Sequence, residues 1–175
     1  MAAYQVRELH SLGEAARAGL AQLLVDCVEG GASVSFLWPL TDAKAEAFWG
    51  RVAEGLARGE RRLLVAEDAD GRIIGSVQLV FAEPENQPHR ADVAKMLVHR
   101  RSRRCGVGAM LLSAVERCAL EAGRTLLVLD TVSGHDAYRL YLRHGWQRCG
   151  EIPGYALWPD GTPCATTVLY KGLAP

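Results

Sequence analysis

Residues Lys95 to Glu121 read KMLVHRRSRRCGVGAMLLSAVERCALE. A short apolar strand runs into four arginines, Arg100, Arg101, Arg103 and Arg104, then a Gly106-Val107-Gly108 turn, then a long amphipathic helix. A strand edge holds an extended chain, successive N–H groups of a glycine turn hold phosphate, and a helix N-terminus adds a positive dipole end. Glycine matters there because phosphate approaches a backbone closely only where no Cβ intervenes. The stretch therefore predicts a site for an extended phosphorylated ligand of the acyl-CoA kind. Two other readings stay open on these residues alone. Gly106-Val107-Gly108 with Asp130 about 20 residues on partly matches a dinucleotide-binding turn, but Leu111 stands where the third glycine belongs. A solvated basic turn at a helix start is the plainest alternative. A nucleotide P-loop is excluded, because no Gly-Lys-Ser/Thr follows.

Working outward, period and punctuation predict the remaining elements. Val107–Ala122 carries apolar residues at Val107, Leu111, Ala114, Val115, Cys118 and Ala122, the spacing of one helix face. Upstream, Tyr4–Leu9 alternates weakly as a first strand, and Gly13–Glu29 and Ala43–Arg58 read as helices, the second with Thr41-Asp42 at its start. Arg62–Glu67 and Ile73–Phe81 read as a hairpin around the turn Asp68–Gly71, with Gly75 a candidate bulge, and Ala91–Val98 as the strand that enters the central stretch. Downstream, Thr125–Leu129 is a continuous apolar strand, Ser133–His144 a short helix, Trp146–Ile152 a strand, Pro153–Pro163 a turn-rich loop and Ala165–Lys171 a last strand. The order β-α-α-β-β-β-α-β-α-β-β predicts a mixed α/β layer with one core, a single domain over residues 1–175.

Composition narrows the function classes. With 49% hydrophobic and 23% charged residues the chain has the makings of a packed core. Twenty basic residues balance twenty acidic ones, so no global field points to nucleic acid or to a membrane surface. The five cysteines, Cys27, Cys105, Cys118, Cys149 and Cys164, are odd in number and never spaced Cys-x-x-Cys, which predicts no metal site and no disulfide framework. Reduced thiols and the lack of a signal-like or membrane-length apolar run predict a cytoplasmic protein, and the sequence leaves monomer and homodimer both open.

Further on, Ala137-Tyr138-Arg139-Leu140-Tyr141-Leu142-Arg143-His144-Gly145-Trp146 reads as Ala-x-x-Leu-Tyr-x-x-x-Gly-aromatic. Together with Val98 and Arg103-x-x-Gly106-x-Gly108 about forty residues earlier, it resembles the GNAT superfamily of N-acetyltransferases. The segments GLAQLLVDCVEGGASVSF, DVAKMLV, LLVLDT and GEIPGYALWPDG look more narrowly like the tabtoxin-resistance acetyltransferases, which acetylate a β-lactam amino-acid toxin. Arg100 stands where the superfamily often has proline, Arg104 where it often has glycine, and Gly134 where asparagine is frequent.

The resemblance implies a mixed, mostly antiparallel sheet of about seven strands, about four helices on both faces, and splayed central parallel strands. It implies acetyl-CoA as co-substrate, with no metal, and a small-molecule amine or amino-acid-like acceptor, which the narrower resemblance makes a toxin or antibiotic. A module that senses acetyl-CoA without turnover is the alternative. The backbone of Met96, Leu97 and Val98 is expected to pair with the pantetheine arm, with the Val98 N–H facing the reacting carbonyl. Arg103, Arg104, Cys105, Gly106, Val107, Gly108 and Ala109 are expected to hold the pyrophosphate. Tyr141 is expected to protonate the leaving thiolate. Asp92 and Asp130, placed at the ends of neighbouring strands, are candidate bases or ammonium binders, and Trp38 and Tyr155, in loops, candidate acceptor contacts.

Overall fold

Stretches of period 2 and period 3.6 sort into seven strands and four helices in the computed structural model, which describes residues 4–174. In chain order they are β1 (Gln5–Leu9), α1 (Glu14–Glu29), α2 (Asp42–Ala57), β2 (Arg61–Glu67), β3 (Ile73–Phe81), β4 (Arg90–Val98), α3 (Val107–Glu121), β5 (Leu126–Val132), α4 (Asp136–Arg143), β6 (Gln147–Leu157) and β7 (Pro163–Gly172). One sheet runs β1-β2-β3-β4-β5-β7-β6. All its neighbours are antiparallel except β4 and β5, which the crossover through α3 makes parallel. Among the described residues no helix is long and apolar enough to cross a membrane.

Local chemistry explains the elements that the rest leans on. Thr41 caps α2 by accepting from the Lys44 N–H at 3.3 Å. The Asp68 carboxylate accepts from the N–H groups of Asp70 (3.0 Å) and Arg72 (2.9 Å), which closes the β2–β3 turn. One face of the sheet packs on α3, through residues such as Val77, Leu79, Ala91, Val93, Leu111, Val115 and Leu127. The other face packs on α1 and α2, through Leu20, Leu24, Trp49, Leu63 and Val65.

Three expectations change. The segment Pro153–Leu157, read as loop, extends β6, and β7 begins at Pro163. β6 is an edge strand, where proline removes no ladder bond, and its pairing is irregular between Ile152 and Ala156. Residues Ser133 and Gly134 lie in a turn ahead of α4, with Gly134 at φ 74°, a left-handed conformation that asparagine also tolerates. The extra residue of the β2–β3 bulge is Ile74, since Ala66 pairs with Gly75 and Glu67 with Ile73. Gly75 has a different duty. A Cβ there would lie 2.9 Å from Leu111 Cδ1 and 3.1 Å from the Leu97 carbonyl oxygen, so its absence lets α3 settle on β3. Gly75→Ala is expected to lower the unfolding free energy by about 1–3 kcal/mol through overpacking, seen as a lower urea midpoint at unchanged slope. An unchanged midpoint would mean the helix–sheet contact is looser than described.

Candidate active site

The site begins with a miscount between two strands. On β3 only Val77 separates Ser76 from Gln78, while on β4 their partners Leu97 and Ala94 are separated by Lys95 and Met96. The surplus residue is a β-bulge, and Lys95 takes φ 49° to make it. The bulge exchanges the faces of β4. Before it Ala91 and Val93 point into the α3 layer; after it Leu97 points into the α1–α2 layer. On the other side β5 pairs with β4 only over Arg90–Leu126, Ala91–Leu127 and Asp92–Val128, then leaves. The two central strands therefore fork beyond Asp92.

Val98 lies on the open side of that fork. The His99 N–H donates to the Ile74 carbonyl at 2.8 Å, and Gly75 faces Val98 in the next pair. Antiparallel alternation then turns the Val98 N–H away from β3, toward the gap that β5 has vacated. Leu97, by the same alternation, commits its backbone to Ser76, so of the three residues expected to meet an extended ligand, Leu97 is spent on β3.

The loop below is built from strain and anchoring. His99 Nδ1 accepts from the Arg101 N–H at 3.2 Å and caps a 3₁₀ turn, Arg100–Ser102. Arg100 is not a free cation. Its backbone N–H and its guanidinium both bond Asp26 of α1, at 2.9 and 2.8 Å, and it also reaches Glu29. Arg103 Nε donates to the Val98 carbonyl at 3.3 Å. Arg101, Arg103, Arg104, Cys105 and Gly106 are exposed. Arg104 takes φ 60°, a left-handed conformation suited to glycine, which accounts for glycine being the usual occupant of such a position. Gly106, at φ 84°, precedes α3, and a Cβ on it would meet nothing within 4 Å. No side chain caps α3, so its first N–H groups point into open space, as an anion site requires. Gly108 serves a different end than phosphate approach alone: its missing Cβ would stand 3.0 Å from Leu140 Cδ2 of α4.

Of the predicted chemical groups, Tyr141 is buried and its ring lies 5.6 Å from that of Trp146. Burial, with the charge of Asp130, raises its phenol above the ordinary value, so the hydroxyl stays protonated. Asp130 is exposed on β5, two residues past the last β4–β5 pair. Asp92 sits at that last pair and is ion-paired with Arg90 Nη1 at 2.8 Å. Trp38 and Tyr155 are exposed, at 47% and 57%. Trp38 lines a cleft of about 310 Å³ with Trp158, Val28 and Glu29, and its N–H donates to the Pro159 carbonyl. Tyr155 belongs to β6 and not to a loop. Among the described residues no cluster of three or more His, Cys, Asp or Glu side chains offers a metal site.

A strand that forks at a bulge, above an uncapped helix N-terminus, is an arrangement with known relatives. A family model for the acetyltransferase (GNAT) domain matches residues 59–148. The chain belongs to the GNAT acetyltransferase family. Its fold is similar to that of a ribosomal-protein-alanine N-acetyltransferase from Brucella melitensis, with TM-score 0.79 and 23% identity over 97% of this chain and 99% of that one. It is also similar to a GCN5-related N-acetyltransferase from Kribbella flavida, with TM-score 0.78 and 23% identity over 97% and 98%. A third likeness is to a GNAT-superfamily phosphinothricin acetyltransferase from Sinorhizobium meliloti in complex with AcCoA, with TM-score 0.80 and 17% identity over 98% and 89%. At these identities the likeness is one of fold.

One residue of this acetyltransferase's site escapes a motif reading: Lys95. It is half-buried at the bulge, and its ammonium donates to Ser35 Oγ at 2.9 Å. A lysine inside the otherwise apolar strand run VAKMLV was its signal.

Two outcomes follow from this geometry. Arg104→Gly is expected to leave stability unchanged or slightly raised, while the β-branched Arg104→Val lowers it by about 1–2 kcal/mol, because only glycine is free of the left-handed penalty. Equal urea midpoints for the two variants would refute the strained turn. For Tyr141 the folded pKa is raised, so its stabilising contribution is complete below the unfolded value of about 10 and is lost as pH rises through the folded value. Tyr141→Phe is expected to gain stability relative to wild type above about pH 10 in paired urea titrations. A constant difference across that range would show that the phenol is not shifted.

Proposed function

We propose that this acetyltransferase moves an acetyl group from acetyl-CoA directly to the nitrogen of a small amine or amino-acid-like acceptor. The observation that carries the reading is the fork. The Val98 N–H faces a gap between β4 and β5, and the uncapped N-terminus of α3 lies one loop away. Bound acetyl-CoA supplies an activated thioester. The chain's own residues then have four duties.

Met96 and Val98 hold the extended arm as an added strand would, and the Val98 N–H donates to the carbonyl oxygen as charge develops on it. Arg103 to Ala109 cradle the pyrophosphate with the free N–H groups at the start of α3, while Arg101 and Arg104 stay exposed for the outer phosphate. Tyr141 faces the leaving sulfur. Its raised pKa makes it a secure hydrogen-bond donor and an uphill proton donor, so it steadies the thiolate first and protonates it last. Asp130 binds the acceptor's ammonium and relays its proton through water, since a carboxylate is a weak base for an ammonium on its own. Asp92, already engaged by Arg90, shapes the fork beside it. Trp38 and Tyr155 border the acceptor side. Within this reading the acceptor is a toxin or antibiotic, on the strength of the narrower sequence resemblance, and residues 1–175 act as one domain.

Thiol release from acetyl-CoA over a panel of amines tests the reaction. Tyr141→Phe is expected to bind acetyl-CoA with Kd within about threefold of wild type and to lose about 10²-fold in kcat. Equal turnover would remove Tyr141 from the chemistry. Donor binding with no thiol release on any amine would favour a sensor.

A further inference from the structure

Three described non-glycine residues have left-handed φ: Ser35 (77°), Lys95 (49°) and Arg104 (60°). Left-handed backbone costs a side-chain-bearing residue about 1–2 kcal/mol, and such outliers persist where the surroundings hold them for a purpose. Arg104 belongs to the phosphate loop. The other two touch each other, because the Lys95 ammonium donates to Ser35 Oγ at 2.9 Å. They come from elements 60 residues apart, the α1–α2 loop and the bulge of β4.

The bulge decides where this ammonium goes. Without the surplus residue Lys95 would follow Ala91 and Val93 into the α3 layer. With it the side chain crosses to the α1–α2 face, where the ammonium lies 5.7 Å from the centre of the Phe48 ring. Phe48 is held edge-on by Phe36 at 5.4 Å. The loop that carries Ser35 is pinned from the far side. Ser33 Oγ donates to the Leu157 carbonyl at 2.7 Å, and the Trp38 N–H to the Pro159 carbonyl at 2.9 Å. Lys95 thus stands at the start of the fork, three residues before Val98, with its ammonium between Ser35 and the Phe48 ring.

Its charge is incompletely matched. Among the described residues Lys95 forms no ion pair; a hydroxyl and an aromatic face are its contacts. Burial pushes its amine down, and the negative charge of Asp130 pulls it back only in part. A half-buried ammonium that lacks a carboxylate partner is a vacancy of one negative charge. Asp130, across the fork, presents the opposite sign.

We propose that Lys95, steadied by Ser35, binds the carboxylate of an amino-acid acceptor whose amine is directed to the Asp130 side of the fork. The inference rests on the acetyl-transfer reading and sharpens its acceptor from a small amine or amino-acid-like molecule to an α-amino acid held by its carboxylate.

The test compares α-amino acids with their α-carboxamides, which keep the amine and lose the charge, in thiol release by the full chain. Wild type is expected to favour the acid by about 10²-fold in kcat/KM, the effect of taking the charge away from a charge-assisted hydrogen bond. Lys95→Gln is expected to erase that preference by raising KM for the acid, with the amide's constants unchanged. Lys95→Asn serves as a second variant that tolerates left-handed φ, so a folding failure of the first is not decisive. Binding gives a readout independent of turnover: saturation-transfer NMR is expected to show an N-acetyl-α-amino acid bound to wild type and lost from Lys95→Asn, with the corresponding amide bound by neither. If wild type acetylates acids and amides equally, or the variants lose both in proportion, the carboxylate role is overturned and the acetyl-transfer reading survives. If no amine of either series releases thiol while acetyl-CoA binds, both readings fall.

Discussion

One surplus residue on β4 organises this protein. Between Ala94 and Leu97 the strand carries two residues where β3 carries one, and the mismatch cannot be spread along the ladder. It is absorbed at Lys95, and the strand leaves its earlier geometry from that point on. The side chains of β4 change layers, which takes Leu97 out of the α3 core and puts it against α1 and α2. The backbone is re-aimed, which leaves the Val98 N–H pointing where no strand answers it. A strand with an unsatisfied inward edge is normally a liability. Here β5 has already left at Asp92–Val128, so the exposed edge faces the gap between two strands of its own sheet. The edge is kept open by the same crossover that brings α3 under the loop.

Charge around the slot is organised by a single exposed carboxylate. Asp130 raises the pKa of the buried Tyr141 and opposes the fall in that of Lys95. Both effects have one sign, since a nearby negative charge holds protons on its neighbours. With Asp130 ionised, the phenol and the ammonium both remain donors. That leaves Asp130 as the acceptor in the set, because Asp92 is occupied by Arg90. Neutralising Asp130 would release both neighbours at once, so its substitution acts on three groups and its effect on rate does not measure one role.

Much of the scaffold was legible in the chain, and the reasons divide by range. The DADG turn, the Thr41 cap and the stripe of α3 are local, and the structure keeps each of them. The fold class and the family followed from motifs whose residues are tied to short loops. What depends on register or on distant partners was not legible. The bulge is a property of two strands compared, so DVAKMLV alone does not reveal that Lys95 turns toward α2. Arg100 reads as one of four neighbouring positive charges in the loop until Asp26, 74 residues away, takes it. Gly108 reads as a phosphate contact alone, and Leu140 of α4 found against it adds a packing reason that the sequence did not offer. Pro153 reads as a strand breaker because nothing in GEIPGYALWPDG says that the strand lies at an edge.

The placement of strain closes the argument about how the site is held. The left-handed pair Ser35–Lys95 and the left-handed Arg104 mark the two ends of the region between fork and phosphate loop. Between them the chain is fastened to α1 by Arg100 to Asp26 and Glu29, and by the buried Cys27 thiol donating to the Val98 carbonyl at 3.5 Å. Burial raises that thiol to about 11, so it remains a neutral packing group beside Val98 and keeps its proton for the bond. Strained ends with a tethered middle resist relaxation. A ligand that spans the two ends meets N–H groups already aimed, and does not have to spend binding energy on ordering them. The fastening comes from the C-terminal turn of α1, where Asp26 and Glu29 hold Arg100 in place.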